Sequence, residues 1–192
     1  MVSDEIHCDL VFEPHYHIPL ATLSEEIAQN TITCIAPSKT FNLAGLFTSS
    51  IIIPNDSLRR KFKVAEEKIH LSANIFGITA AEAAYQHGEA WLGELKNYLK
   101  ANVELVKDFL ADKMPEISVS PAEATYMLWL DFRKLGIEAP ELKKLLIEKA
   151  GLGFVEGPTF GPGGEGFQRM NIACPRITLE MALERIPSIL NH

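Results

Sequence analysis

The sequence predicts an α/β protein, and three observations carry that prediction. Two short β-branched and apolar runs, Thr31–Ala36 and Phe47–Pro54, have the pattern of strands covered on both faces. Between Glu89 and Lys113 the residues Trp91, Leu92, Leu95, Tyr98, Leu99, Val103, Val106 and Leu110 recur at helical spacing, which predicts one long amphipathic helix with this stripe in the core. After Pro115 strand-like and helix-like segments alternate, as in a compact α/β domain. At 192 residues the chain is long enough to bury a sizeable core, and 47% hydrophobic against 22% charged residues is a globular composition.

Taken in order, Val2, Ser3 and Asp4 read as the end of a buried strand with nothing before it, the beginning expected of a sequence cut inside a larger protein. Glu13–Leu23, with Pro14, Pro19 and the cluster His15, Tyr16, His17, reads as a loop over a site. The stretch between the two apolar runs, with Pro37, Ser38, Lys39, Asn42 and Gly45, reads as a strand-to-strand loop, a place where function often resides. Asn55-Asp56-Ser57 is a helix start, because Asn and Asp oxygens accept the free N–H groups of a first turn; that helix runs to about Ile69. Ser72–His87 follows, with Ala80, Ala81, Ala83 and Ala84 as small packing faces. Beyond Pro115, Ile117–Val119, Thr125–Phe132, Gly153–Val155 and Phe167–Ala173 read as strands, Pro140–Lys149 and Thr178–Leu190 as helices. Gly157–Gly166 is too rich in Gly and Pro for regular structure and reads as a mobile loop bordering a pocket; it lacks the Lys-Ser/Thr of a P-loop.

A net charge of −7 and the lack of a basic stripe argue against nonspecific nucleic-acid or anionic-membrane binding. Cys8, Cys34 and Cys174 are far apart with no C-x-x-C pair, which implies neither a disulfide framework nor a cysteine zinc site and fits a reducing cytoplasm. The N-terminus lacks a basic region followed by an apolar core, and no apolar run approaches the roughly 20 residues that span a bilayer. His15 and His17, with His7 nearby, lack a further ligand at suitable spacing for a metal site.

Lys39 is either an ordinary solvated lysine or a functional amine, and spacing alone does not decide. Asp4 is a turn or capping acid unless a partner lies downstream. Arg169, an arginine in the apolar alternation Phe167–Ile172, is either on a solvent face or buried with a partner, because an unpaired buried guanidinium is costly. Its planar fork suits a carboxylate.

A strand ending in Asp, then a later strand leading to Ser-Lys, resembles the layout of fold-type I pyridoxal-phosphate enzymes, the aspartate aminotransferase superfamily. The wording DEIH at 4–7, SKTFN at 38–42 and FQRMNIACPR at 167–176 resembles its cystathionine beta-lyase and C–S lyase branch. The resemblance implies that residues 1–88 are the remainder of a large, mostly parallel-sheet cofactor domain. Residues 89–192 are then the connecting helix and a small α/β domain, with an N-terminal half absent. It implies pyridoxal 5'-phosphate as cofactor and Lys39 as the Schiff-base and proton-transferring lysine. Asp4 becomes the partner of the pyridinium nitrogen, His7 stands where aminotransferases have a cofactor-binding tyrosine, Ser38 contacts phosphate, and Arg169 grips the substrate α-carboxylate; Arg176 is structural. Two positions depart from the aminotransferase pattern: Ala36, where Gly or Ser is common, and Phe47, where many carry a phosphate-binding arginine.

The activity implied is a C–S lyase acting on cystathionine or a related cysteine conjugate to give pyruvate, ammonia and a thiol. A class I/II aminotransferase and a noncatalytic remnant or assembly module are the alternatives. The partner implied is a second copy in a homodimer, or a complementing N-terminal half.

Overall fold

A computed structural model describes residues 1–69 and 72–190. The chain divides into two compact units, Met1–Lys96 and Asn97–His192, with the boundary inside a helix.

The first unit holds a three-stranded sheet in the order β1-β2-β3: β1 (Val2–Asp4), β2 (Ile32–Ile35) and β3 (Ser50–Ile52). β1 pairs parallel with β2, with Asp4 opposite Cys34, and β3 pairs antiparallel with β2. The short helix α1 (Glu25–Gln29) is started by Ser24, whose hydroxyl accepts from the Ile27 N–H at 3.2 Å. α2 (Pro37–Thr40) follows β2 directly. α3 (Asp56–Lys68) begins where expected: Asn55 Oδ1 accepts from the N–H groups of Ser57 and Leu58 at 2.9 and 3.0 Å. α4 (Ile75–His87) starts three residues later than the composition suggested, because Asn74 caps it by accepting from the Gly77 N–H at 2.8 Å. The unit buries a small core that includes Leu10, Phe12, Ala36 and Ile53.

The first unit corrects two expectations. Lys39 does not sit on an open loop: it lies on the single turn of α2. Pro37 opens that turn because its fixed φ suits a first helical position and its missing N–H would have gone unpaired there. The Phe41 N–H then bonds to the Pro37 carbonyl at 2.9 Å, and Asn42 at φ 56° leaves the helix. β3 is not covered on both faces either. All three of its residues are exposed at an edge of the sheet, and Ile51 shares an open cavity with Phe62, Ala65 and Glu66 of α3.

α5 (Glu89–Lys113) opens in the first unit and continues into the second. Its stripe is core from Leu99 onward, where Leu99, Val103, Val106 and Leu110 are buried, whereas Trp91 is 47% exposed and Tyr98 is also exposed. The second unit then forms a four-stranded antiparallel sheet in the order β4-β5-β7-β6. Its strands are β4 (Ser118–Val119), β5 (Met127–Asp131), β6 (Val155–Glu156) and β7 (Phe167–Asn171). Leu128, Leu130 and Met170 alternate onto its buried face and share the core with Leu99, Val103, Leu142, Leu179 and Leu183, the last three from α6 (Ala139–Glu148) and α7 (Arg176–Arg185).

The expected helix to Leu190 ends at Arg185 and tightens into a 3-10 segment, Ile186–Leu190. Pro187 has no N–H to continue the α-helical ladder. The Gly-Pro-rich stretch also holds a piece of regular structure that was not expected. Gly157–Phe160 is a 3-10 turn, held by a contact only glycine allows: a Cβ on Gly157 would stand 2.0 Å from the Gly164 carbonyl oxygen.

No helix among the described residues is long and apolar enough to cross a membrane.

Candidate active site

The end of β1, the start of α2 and the following loop converge in the first unit. Ile6, Ala36, Ser38, Lys39, Ala44, Phe47, Thr48 and Ser49 line an open cleft of about 360 Å³. Lys39 is exposed at this cleft, Ser38 is half-buried, and Phe47 is 87% exposed in the left-handed backbone region at φ 48°. One amine, three hydroxyls and an apolar wall thus share one concavity.

The cleft's outer wall is fixed from α4. Asn74 Nδ2 donates to the Leu46 carbonyl at 2.7 Å and the Thr48 hydroxyl donates to the same oxygen at 3.1 Å. Gly77 lies so close beneath that a Cβ there would stand 1.8 Å from Thr48 Oγ1.

Asp4 ends β1 with an exposed carboxylate whose Oδ1 accepts weakly from the Ile6 N–H at 3.3 Å. The next residue is different in character. Glu5 is buried, and its carboxylate accepts from the Ser3 hydroxyl at 2.9 Å, His17 Nε2 at 2.8 Å and the Leu20 N–H at 3.0 Å. Burial pushes its acidity toward the neutral acid, but the hydrogen bonds from His17, Leu20 and Ser3 outweigh it and hold the carboxyl below its ordinary value. Glu5 therefore ties the 13–23 loop to the end of β1, and His17 serves that tie. Among the described residues no group of His, Cys, Asp and Glu is arranged to hold a metal.

His7 is half-buried in the tight turn after β1, where its carbonyl accepts from the Leu10 N–H at 3.0 Å. Asp9 closes that turn: its Oδ2 accepts from the Thr40 hydroxyl at 2.8 Å, and Cys8 Sγ lies 3.6 Å from Oδ1. Burial and the neighbouring Asp9 push the Cys8 thiol up to about 11. Phe41 packs edge-on against Tyr85 and tilted against Trp91, both at 5.9 Å between ring centres. The structure thus gathers Asp4, His7, Ser38 and Lys39 onto one end of one small sheet.

Arg169 belongs to the second unit. It sits half-buried on the outer face of β7, opposite Trp129 on β5 and Val155 on β6. Its guanidinium lies 4.8 Å over the Phe160 ring, while Trp129 meets Phe160 edge-on and stacks on Phe167, each at 5.4 Å. No carboxylate pairs with it among the described residues. Burial raises the phenol of nearby Tyr126, against the pull of the Arg169 charge. A neighbouring arginine, Arg133, is by contrast committed to Asp131 through two bonds of 2.9 and 2.7 Å. Arg176 covers the Tyr98 ring at 5.6 Å, and the Tyr98 hydroxyl donates to the Cys174 carbonyl at 3.1 Å.

Glu5, Asp9 and Thr40 had not stood out in the sequence. The available signal was a crowding of three acids, Asp4, Glu5 and Asp9, at one strand end, with a hydroxyl directly after the lysine.

This architecture is that of the C-terminal part of fold-type I pyridoxal-phosphate enzymes, as superposition shows. A pyridoxal-phosphate-bound protein from Clostridium difficile, described as an aminotransferase, aligns with a TM-score of 0.96 at 42% identity, covering 99% of this chain and 49% of the other. Cystalysin from Treponema denticola, a structure that contains pyridoxal 5'-phosphate, aligns with a TM-score of 0.94 at 38% identity, over 99% of this chain and 48% of the other. In sequence, the cystathionine beta-lyase PatB of Bacillus subtilis is 42% identical over 192 residues, which is all of this chain and 50% of the relative. Aminotransferases also occur among the matched proteins, including the Clostridium difficile structure and two curated relatives at 27% and 26% identity. No family model matches the chain. The chain matches the C-terminal half of the pyridoxal-phosphate-dependent cystathionine beta-lyase and MalY-type enzymes of the class I/II aminotransferase group. It spans about half the length of the curated relatives it matches.

Proposed function

We propose that this chain carries the lysine half of a pyridoxal-phosphate-dependent C–S lyase that cleaves cystathionine or a related cysteine conjugate to pyruvate, ammonia and a thiol. The observation that carries the reading is the exposed Lys39 amine on a cleft with the hydroxyls of Ser38, Thr48 and Ser49, in a chain that aligns from end to end with such lyases.

These residues suit the cofactor. Lys39 would attach it, Ser38 would supply a hydroxyl to its phosphate, His7 would lie toward its ring oxygen, and the Asp4 carboxylate would pair with its ring nitrogen. When bound, the cofactor supplies an electron sink for charge that develops at the substrate α-carbon. The Lys39 amine would serve as the general base that takes the substrate α-proton. Arg169, which has aromatic neighbours but no carboxylate partner among the described residues, is suited to hold the substrate α-carboxylate through its two-pronged fork.

Lyase and aminotransferase share these residues and diverge in the fate of the proton. In a lyase the thiolate would leave the β-carbon, whereas in an aminotransferase Lys39 would return its proton and the amino nitrogen would pass to a keto acid. His7 and the DEIH and SKTFN wording favour the lyase. The exposed apolar side chains of α4 and the open β3 edge favour a partner, either a second copy or a complementing N-terminal half: Phe76 is 75% exposed, and Ile75 and Ile78 are exposed beside it.

Two experiments test the reading. Borohydride added to the chain with pyridoxal phosphate should fix the cofactor on the Lys39 peptide, and Lys39→Ala should abolish the label. Label spread evenly over the chain's lysines would refute the assignment. The protein completed with its upstream half should turn cystathionine into equal amounts of pyruvate, ammonia and thiol without a keto acid. A single turnover that waits for a keto acid and releases no thiol would decide for the aminotransferase.

A further inference from the structure

A four-residue helix cannot hold its own shape. α2 closes one α-helical bond, from the Phe41 N–H to the Pro37 carbonyl, with one wider bond of 3.1 Å from the Leu43 N–H to the Ser38 carbonyl. Something outside the turn must fix it. Thr40, next in sequence to Lys39, is fully buried, and its hydroxyl donates to Asp9 Oδ2 at 2.8 Å across 31 residues of chain. Asp9 belongs to the turn that follows β1, the same turn that carries His7 and begins at Asp4.

We infer that Asp9 is a positioning residue: through Thr40 it fixes the turn bearing Lys39 against the turn bearing Asp4 and His7. The inference rests on the role proposed above for Lys39. Several observations favour a tether over an incidental contact. Neither Asp9 oxygen caps a backbone N–H among the described residues, so the carboxylate is not spent on its own turn. Its side-chain partners are the Thr40 hydroxyl and the Cys8 thiol. The acceptor is a carboxylate and the donor is wholly shielded from water, the combination in which a single hydrogen bond is strongest. The ring of Phe41, one residue further on, is pressed against Tyr85 and Trp91, so the turn is held by Asp9 on one side and by aromatic packing on the other. Two short turns that must present an amine and a carboxylate to one small molecule need such a strut, since a misplacement of about 1 Å is enough to cost a site its function.

The test uses Asp9→Asn, the near-isosteric Thr40→Val, the double variant and Thr40→Ser, each in the full chain. Native-state hydrogen exchange should speed up at the Phe41 and Leu43 amides by about ten- to a hundred-fold in Asp9→Asn and in Thr40→Val. The double variant should exchange no faster than Thr40→Val alone, Thr40→Ser should exchange like the parent, and β5 and β7 amides should not change. The rate of borohydride-trapped pyridoxal phosphate on Lys39 should fall in the same variants and recover in Thr40→Ser. Unchanged exchange at Phe41 and Leu43, or additive effects in the double variant, would overturn the tether. Faster exchange with an unaltered trapping rate would reduce Asp9 to a purely structural role and equally overturn the inference. A parent chain that traps no cofactor would sink the role of Lys39 instead, and the exchange measurements would still decide whether Asp9 holds the turn.

Discussion

Gly77→Ala should destabilise the first unit, against the usual direction for such a change. Gly77 is in the first turn of α4, and an exposed helical glycine replaced by alanine ordinarily gains about 1 kcal/mol. Here the added methyl would meet Thr48 Oγ1 at 1.8 Å and the Leu46 carbonyl oxygen at 2.8 Å. Thr48 can turn away, at the cost of its hydrogen bond to that carbonyl, about 1 kcal/mol. The carbonyl itself cannot move alone, because Asn74 Nδ2 is bonded to it and α4 is capped by the same Asn74. Overpacking of this kind costs about 1–3 kcal/mol, so the net expectation is a loss of about 1–3 kcal/mol. With Trp129→Phe as background, Trp91 remains as the single fluorescent reporter on the first unit, and urea unfolding followed through it measures the loss. Adding Thr48→Ala should return about 1 kcal/mol by removing the worst contact. A Gly77→Ala chain as stable as its parent would refute the reading of the cleft wall as rigidly seated on α4.

Glu5 carries a pH dependence of definite sign. Its folded carboxyl titrates below its ordinary value, so its stabilisation is fully present above the unfolded value of about 4 and is lost as pH falls through the folded one. The stability difference between parent and Glu5→Gln in urea should therefore shrink between pH 6 and pH 3; a constant difference would contradict it. Cys8, with its thiol pushed up to about 11, should be alkylated by iodoacetamide at pH 8 about two orders of magnitude more slowly than a free thiol, and Asp9→Asn should speed it. Peptide mapping reads the rate, and a rate equal to free cysteine would show the thiol is not shielded. Arg169→Leu in the completed protein should weaken substrate binding by about 2–3 kcal/mol while leaving the labelling of Lys39 by pyridoxal phosphate unchanged. Loss of labelling with substrate affinity intact would move Arg169 out of the substrate site.

The sequence by itself determined the α/β class, the long helix Glu89–Lys113 to the residue and the α3 start at Asn55, and it singled out Asp4, His7, Ser38, Lys39 and Arg169 as candidates. These are legible because they rest on local rules: helical spacing of apolar side chains, a cap that bonds its own first turn, and short motifs read in order. Only the tertiary structure decided what those residues touch. Lys39 reads as loop because four residues are too few to show a period, and the Thr40 hydroxyl on its turn bonds to Asp9, 31 positions away. Glu5 and His17 look like solvated groups until the chain folds the 13–23 loop back onto β1 and buries the carboxylate among three donors. β3 and the front of α5 carry apolar residues that predict burial, yet Ile51, Ile52 and Trp91 remain exposed among the described residues. Hydrophobicity states what a side chain would bury against, but whether a neighbour arrives depends on which surfaces the folded chain brings there.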